Sequence, residues 1–501
     1  MTLRERYGAF LGIVREIHDL DMADMVLSWD QQTYMPEKGA DARASQLATL
    51  AGVRHDRLTG DAMAETLAGL DESEGGGLDE DGRVNVREIR RIHERERKIP
   101  ADLVREIARV QSLAQQAWVK ARAEDDWSAF SPWLKKILNL KLQTADAVGW
   151  KESRLDALID EFEPGATAAG IERVFENLKK EYIPFVRRLL DAAAAASPPA
   201  ESKPFPVSAQ EAFCRSLLDL IRFDSKAGRL DVSAHPFTAG NGNDVRLTTR
   251  YDERRPEMAI FGVLHEGGHG LYEQGFDPAH EGTPRAQSVS LGIHESQSRT
   301  WENMVGRSRP FWDHAFPLLR KAFPEGTAGM SPEEWYRRIN RVEASCIRVE
   351  ADEVTYNLHI ILRFELEKAM TEGRAPVDEL PRLWNAKMEE YLGITPPDDA
   401  HGALQDIHWA MGAIGYFPTY TLGNIYAAQF FRAARRAIPD LEERMAAGDL
   451  EPLREWQRRE IHGRGQTYSA ERLVETVTGE PLDARYLMEY LNGKYGELYG
   501  V

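Results

Sequence analysis

The run His265-Glu266-Gly267-Gly268-His269 restricts this chain's fold more than any other segment. The apolar Met258, Ile260, Phe261, Val263 and Leu264 lead into it, and their spacing predicts a buried helix. On a helix, residues four apart share a face, so both imidazoles can reach one ion. Two adjacent glycines inside a helix cost on the order of 1–2 kcal/mol together relative to alanine. A plain core helix gains nothing from them. A helix that another backbone or a ligand must approach closely does. The glutamate beside the first histidine can accept a proton from a water that such an ion activates.

A catalytic zinc keeps three protein ligands and an open position, so a third donor is needed. Gly275 stands six residues past His269, where the metzincin pattern requires histidine, so that pattern is excluded. Glu295, in His294-Glu295-Ser296-Gln297-Ser298, is the leading candidate. The turn-rich Phe276–Pro284 stretch allows a second helix, from about Ser290, to pack back and present it. Two histidines and a glutamate form a known catalytic zinc set. His280 is the main rival ligand, and Glu273, His294 and Glu302 also compete.

Helix signals dominate elsewhere. Leu103, Ile107, Val110 and Leu113 recur at helical spacing, as do Ile171, Val174, Phe175, Leu178, Tyr182, Val186 and Leu189. Ser331-Pro332-Glu333-Glu334 is a capping box, and a helical pattern runs on to about Met370 as one long helix or a kinked pair. The best strand is Val245–Tyr251, after the turn-prone Gly240-Asn241-Gly242-Asn243-Asp244, which places one small sheet near residues 230–252. Asp71–Gly82 and the proline-rich Ser197–Pro206 read as loops. The second divides an N-terminal helical lobe, 1–200, from a catalytic lobe, 201–501, within one compact unit.

The 63 Lys and Arg against 81 Asp and Glu give a formal charge of −18, which argues against nucleic acid or an anionic membrane as partner. Ile407–Phe431 lacks Asp, Glu, Lys and Arg, yet its glycines, Pro418 and His408 mark a buried irregular segment rather than a membrane span. Two cysteines, Cys214 and Cys346, suit a reducing compartment. With no apolar leader after the charged first residues, the expected location is cytoplasmic.

The sequence resembles the carboxypeptidase Taq family of metallocarboxypeptidases along essentially its whole length. Besides the metal motif, the resemblance rests on His235-Pro236-Phe237, Asp244-Val245-Arg246-Leu247-Thr248, Ile347-Arg348-Val349-Glu350-Ala351-Asp352-Glu353 and Gly402-Ala403-Leu404-Gln405-Asp406-Ile407-His408-Trp409. Trp29-Asp30-Gln31-Gln32-Thr33 and Thr478-Gly479 are also similar. One departure is Ala410, where serine is expected. The resemblance implies a mainly helical, saddle-like zincin with an active-site groove and one small sheet. It implies a zinc enzyme, sometimes cobalt-activated and usually homodimeric, that releases single residues from peptide C-termini with broad side-chain tolerance. The ligands carry over to His265, His269 and Glu295, and the catalytic glutamate to Glu266. The alternative is an endo-acting zinc oligopeptidase on the same framework.

Further roles follow from chemistry. Peptide hydrolysis places negative charge on the carbonyl oxygen, and donors aimed there are often the largest catalytic contribution. His408 and Tyr420, twelve apart, resemble a histidine and tyrosine of related helical zinc peptidases, with Tyr416 as runner-up. His235 and the strand after it are expected to line the groove. Asp406 is a candidate to support a ligating imidazole. A carboxypeptidase must hold a terminal carboxylate, for which arginine's planar fork is suited. Arg348 is the chosen anchor because Arg348, Asp352, Thr355 and His359 would form one polar helical face, with Arg246 as its rival.

Overall fold

The computed structural model describes residues 2–70, 77–195 and 204–501. Most of the two expected loops, residues 71–76 and 197–203, therefore lies outside the described residues. The described chain is mainly helical with one three-stranded sheet, as expected.

The Ala168–Ala195 helix buries Ile171, Phe175, Leu178, Tyr182, Val186 and Leu189 of the stripe that the spacing predicts, with Val174 half-buried at its margin. The Ala101–Glu124 helix instead buries Val110, Ala114, Trp118 and Ala121, and leaves Leu113 exposed. Trp118 pulls that face inward, because its indole N–H finds the Leu404 carbonyl at 2.9 Å. One large core contains side chains from both sides of residue 200, while Phe10, Val14, Leu58, Met63, Leu67 and Val86 belong to a smaller core among the first helices.

The sheet has the order β1-β3-β2, with β1 at Gly228–Val232, β2 at Thr238–Asn241 and β3 at Asp244–Thr249. β3 pairs in parallel with β1, Gly228 opposite Val245, and antiparallel with β2, Thr238 opposite Leu247. β2 is thus an edge strand.

Two expectations change. The capping box at Ser331 opens a helix as predicted, but that helix spans only Pro332–Ile339. The next α-helix begins at Tyr356 and runs to Thr371, with a 3₁₀ turn at Arg348–Glu350 between the two, so Arg348, Asp352, Thr355 and His359 do not share one helical face. Side chains bonding to the backbone compete with the helix here. The Asn340 amide donates to the Tyr336 and Arg307 carbonyls, and the Asp352 carboxylate accepts from the Glu343, Val354 and Thr355 amides. The charge-free segment is irregular only through Phe417. A helix occupies Pro418–Ala437, and no described helix is long and apolar enough to cross a membrane.

Candidate active site

His265, Glu266 and His269 lie on the helix Pro256–Glu273, which starts with proline at its first position, where a missing N–H costs nothing. The glycines serve close approach, as expected. A Cβ on Gly268 would fall 2.7 Å from the Gln297 carbonyl oxygen and from Ser298 Cα. The second helix, Leu291–Arg299, capped by Ser290, therefore rests directly on the first and brings Glu295 beside the histidines. Gly423 makes room from the other side, since a Cβ there would lie 2.5 Å from Glu295 Cγ.

One donor atom each from His265, His269 and Glu295 lies within 4.8 Å of the others. Glu295 Oε2 is 3.6 Å from His265 Nε2 and 3.4 Å from His269 Nε2. A tetrahedral ion with ligands at 2.0–2.1 Å has donor–donor edges of roughly 3.3 Å, so both edges to Glu295 are close to those of a zinc-sized cation. The opposite ring nitrogens are committed elsewhere. His265 Nδ1 is 2.8 Å from Glu302 Oε2, and His269 Nδ1 meets His294, whose Nε2 is 2.7 Å from Glu273 Oε1. Such partners orient imidazoles toward a metal. Glu302, His294 and Glu273 thus stand behind the donor set, and His280 is turned away toward Asp81 at 3.5 Å.

The electrostatics favour a cation. Burial pushes His269 down to about 3, leaving a neutral ring with a free lone pair. Burial also opposes charge on His265, but Glu295, Glu302 and Glu266 outweigh it and lift this ring to about 9. Burial would raise Glu295, yet Arg299 and His265 hold its carboxyl well below the usual range. Arg299 donates from Nε to Glu295 Oε1 at 2.6 Å and from Nη1 to Glu302 at 3.0 Å. Glu266 is buried, which raises its pKa, and it accepts from the Thr238 hydroxyl at 2.6 Å.

His408 Nε2 lies 3.3 Å from the Tyr420 hydroxyl, and the Tyr416 ring is 5.4 Å from that of Tyr420. Burial lowers His408 to about 4 and raises Tyr420 well above its ordinary value, so the first is neutral and the second keeps its proton. The Arg348 guanidinium lies 5.1 Å from the Tyr420 ring centre and donates to the Tyr356 hydroxyl at 3.1 Å.

Asp406 does not support a ligating imidazole. One of its oxygens accepts from Arg348 and the other from Arg363, at 2.7 Å. Arg246 has its Nε and Nη2 on Asp244, at 2.8 and 2.9 Å, and stacks on Trp29 at 4.4 Å, so it ties the N-terminal helix to the sheet. His235 is exposed in the loop between β1 and β2. Glu302, expected only as a rival ligand, instead sits behind His265, and Arg299 and Thr238 were missed. Arg299 had a signal, since four residues after Glu295 is the same helical face. Thr238 had none, because its contact crosses twenty-eight residues.

The model of the carboxypeptidase Taq (M32) metallopeptidase family matches residues 9–495. Thermostable carboxypeptidase 1 of Thermus thermophilus is 44% identical over 100% of both chains. Carboxypeptidase 1 of Bacillus subtilis is 38% identical over 98% of each. The crystal structure of the M32 carboxypeptidase from Deinococcus radiodurans superposes with a TM-score of 0.95 at 40% identity, covering 99% of this chain and 100% of that one. With the motifs along its length in place, the chain belongs to the carboxypeptidase Taq (M32) family of metallopeptidases.

Proposed function

We propose that this metallocarboxypeptidase uses zinc held by His265, His269 and Glu295, with cobalt able to replace it, to release single residues from peptide C-termini. The observation that carries the proposal is the convergence of those three donors with Glu266 alongside. When bound, the ion polarises the scissile carbonyl and brings the pKa of a water near neutrality. Glu266 accepts that water's proton and passes it to the departing amine. A carboxyl raised by burial suits both transfers. Tyr420, kept protonated and next to neutral His408, donates to the developing oxyanion, a contact worth on the order of 3 kcal/mol. Tyr416 is the alternative donor.

Charge counting supports Arg348 as the carboxylate anchor. Arg348 and Arg363 are both buried and share one acid, Asp406. Burial lowers Arg363 only to about 10, and it lifts the neighbouring Glu367 to about 8, so near neutral pH the group carries one excess positive charge. A buried guanidinium without full compensation favours an incoming carboxylate. Endopeptidase chemistry has no use for it, and the family favours exopeptidase action. The free edge of β2, with His235 at its approach, is suited to pair with an extended substrate backbone. The free thiols Cys214 and Cys346 support a reducing, cytoplasmic setting, and the family resemblance supports a homodimer.

Mass spectrometry of one unmodified peptide over time tests the proposal. A ladder of products shortened from the C-terminus is expected, with no cleavage of the amidated form. Internal fragments would select the endo-acting alternative.

A further inference from the structure

We infer that Thr238 is a positioning residue that engages Glu266 Oε2 and leaves Oε1 to take the proton. Thr238 opens edge strand β2 and is held in register opposite Leu247. Its neighbour Phe237 is tied to Thr248 through both backbone groups, at 2.9 Å each, so the strand is fixed where Thr238 leaves it. A β-branched side chain in such a strand has little rotamer freedom. Its hydroxyl oxygen is 2.6 Å from Glu266 Oε2 and 3.0 Å from the Glu266 carbonyl oxygen.

A hydroxyl carries one proton. The shorter contact is with the ionisable oxygen, where hydrogen bonds are shorter and stronger than to neutral acceptors. Among the described residues no hydrogen bond reaches Glu266 Oε1. The two carboxylate oxygens are therefore distinguished before substrate arrives. One is fixed by the strand, and the other is free to accept.

This inference rests on Glu266 being the base. The competing role for Thr238 is a pin between strand and helix backbone, through the Glu266 carbonyl. Thr238→Val keeps the side chain's shape and removes the hydroxyl. If Thr238 orients the base, kcat falls by about tenfold or more, as expected for a lost hydrogen bond to a charged acceptor, while KM moves less than about twofold. Metal content stays normal, and Thr238→Ser restores kcat to within about threefold, because it returns the donor. In a Glu266→Ala background Thr238→Val then causes no further loss.

Wild-type kcat in metal-replete Thr238→Val, a rise confined to KM, or an undiminished effect of Thr238→Val in the Glu266→Ala background would each overturn the inference. If Glu266→Ala itself retains full activity, the base assignment fails instead. Should the valine variant lose metal or fold poorly, Thr238→Ala is read by the same criteria.

Discussion

Arg348 donates from both Nε and Nη2 to one oxygen of Asp406, at 3.0 and 2.9 Å. The acid grips the guanidinium from one side and orients the rest of it toward Tyr356 and Tyr420. A guanidinium held this way is rigid before substrate arrives, so in the proposed role of anchor it would lose little side-chain entropy on binding.

Arg348→Ala is expected to abolish the preference for a free-acid peptide over its C-terminal amide, through a fall in kcat/KM for the acid, while zinc content stays normal. Arg246→Ala should keep the preference, because Asp244 is paired with that guanidinium alone, whereas Asp406 is shared between Arg348 and Arg363. Paired kinetics on the two peptides decide between them. Discrimination as strong as wild type in Arg348→Ala would make Arg348 structural.

Glu266→Gln should bind metal almost normally and lose about 10²–10⁴ in rate, the usual contribution of a general base, since the amide cannot accept the proton. Elemental analysis alongside turnover checks both halves. A metal-loaded variant with full activity would refute the assignment.

Glu295→Ala should lose metal as well as activity, whereas His280→Ala should lose neither. The first removes one of three convergent donors, and the second removes a ring that faces Asp81. Metal content after dialysis against a mild chelator separates them. A zinc-replete Glu295→Ala protein would show that another residue ligates.

Glu163 is expected to make stability depend on pH. Its carboxyl is buried and accepts from the Gly292 amide at 3.0 Å and the Tyr426 hydroxyl at 2.9 Å, at the start of the helix that carries Glu295. Burial raises it from 4.5 to about 7. The unfolded chain therefore releases this proton first, and stability falls as pH rises between those values, by on the order of 3 kcal/mol in total. Glu163→Gln should remove that dependence. Thermal midpoints of both proteins across this range test it, and the variant should gain on wild type as pH increases. A constant difference would mean that Glu163 is charged throughout.

The sequence by itself determined what is local. The i,i+4 histidines, the glycines between them and the Ser290 cap depend on neighbours within a few residues, so helix geometry alone put both imidazoles on one face and opened the second helix at Ser290, while packing at Gly268 and Gly423 brought Glu295 to them. The small sheet was legible for the same reason. Only the tertiary structure decided the rest. Arg348 lies in a single 3₁₀ turn within the break created by Asn340 and Asp352, not on an α-helix, and its orientation comes from Asp406, fifty-eight residues away. Asp406 serves two arginines rather than a ligand histidine, and Thr238 reaches Glu266 across a sheet edge. Helical periodicity reports which face a side chain occupies. It carries no information about which distant partner will satisfy a buried charge, because that partner is selected only when the elements pack and the desolvation cost must be met.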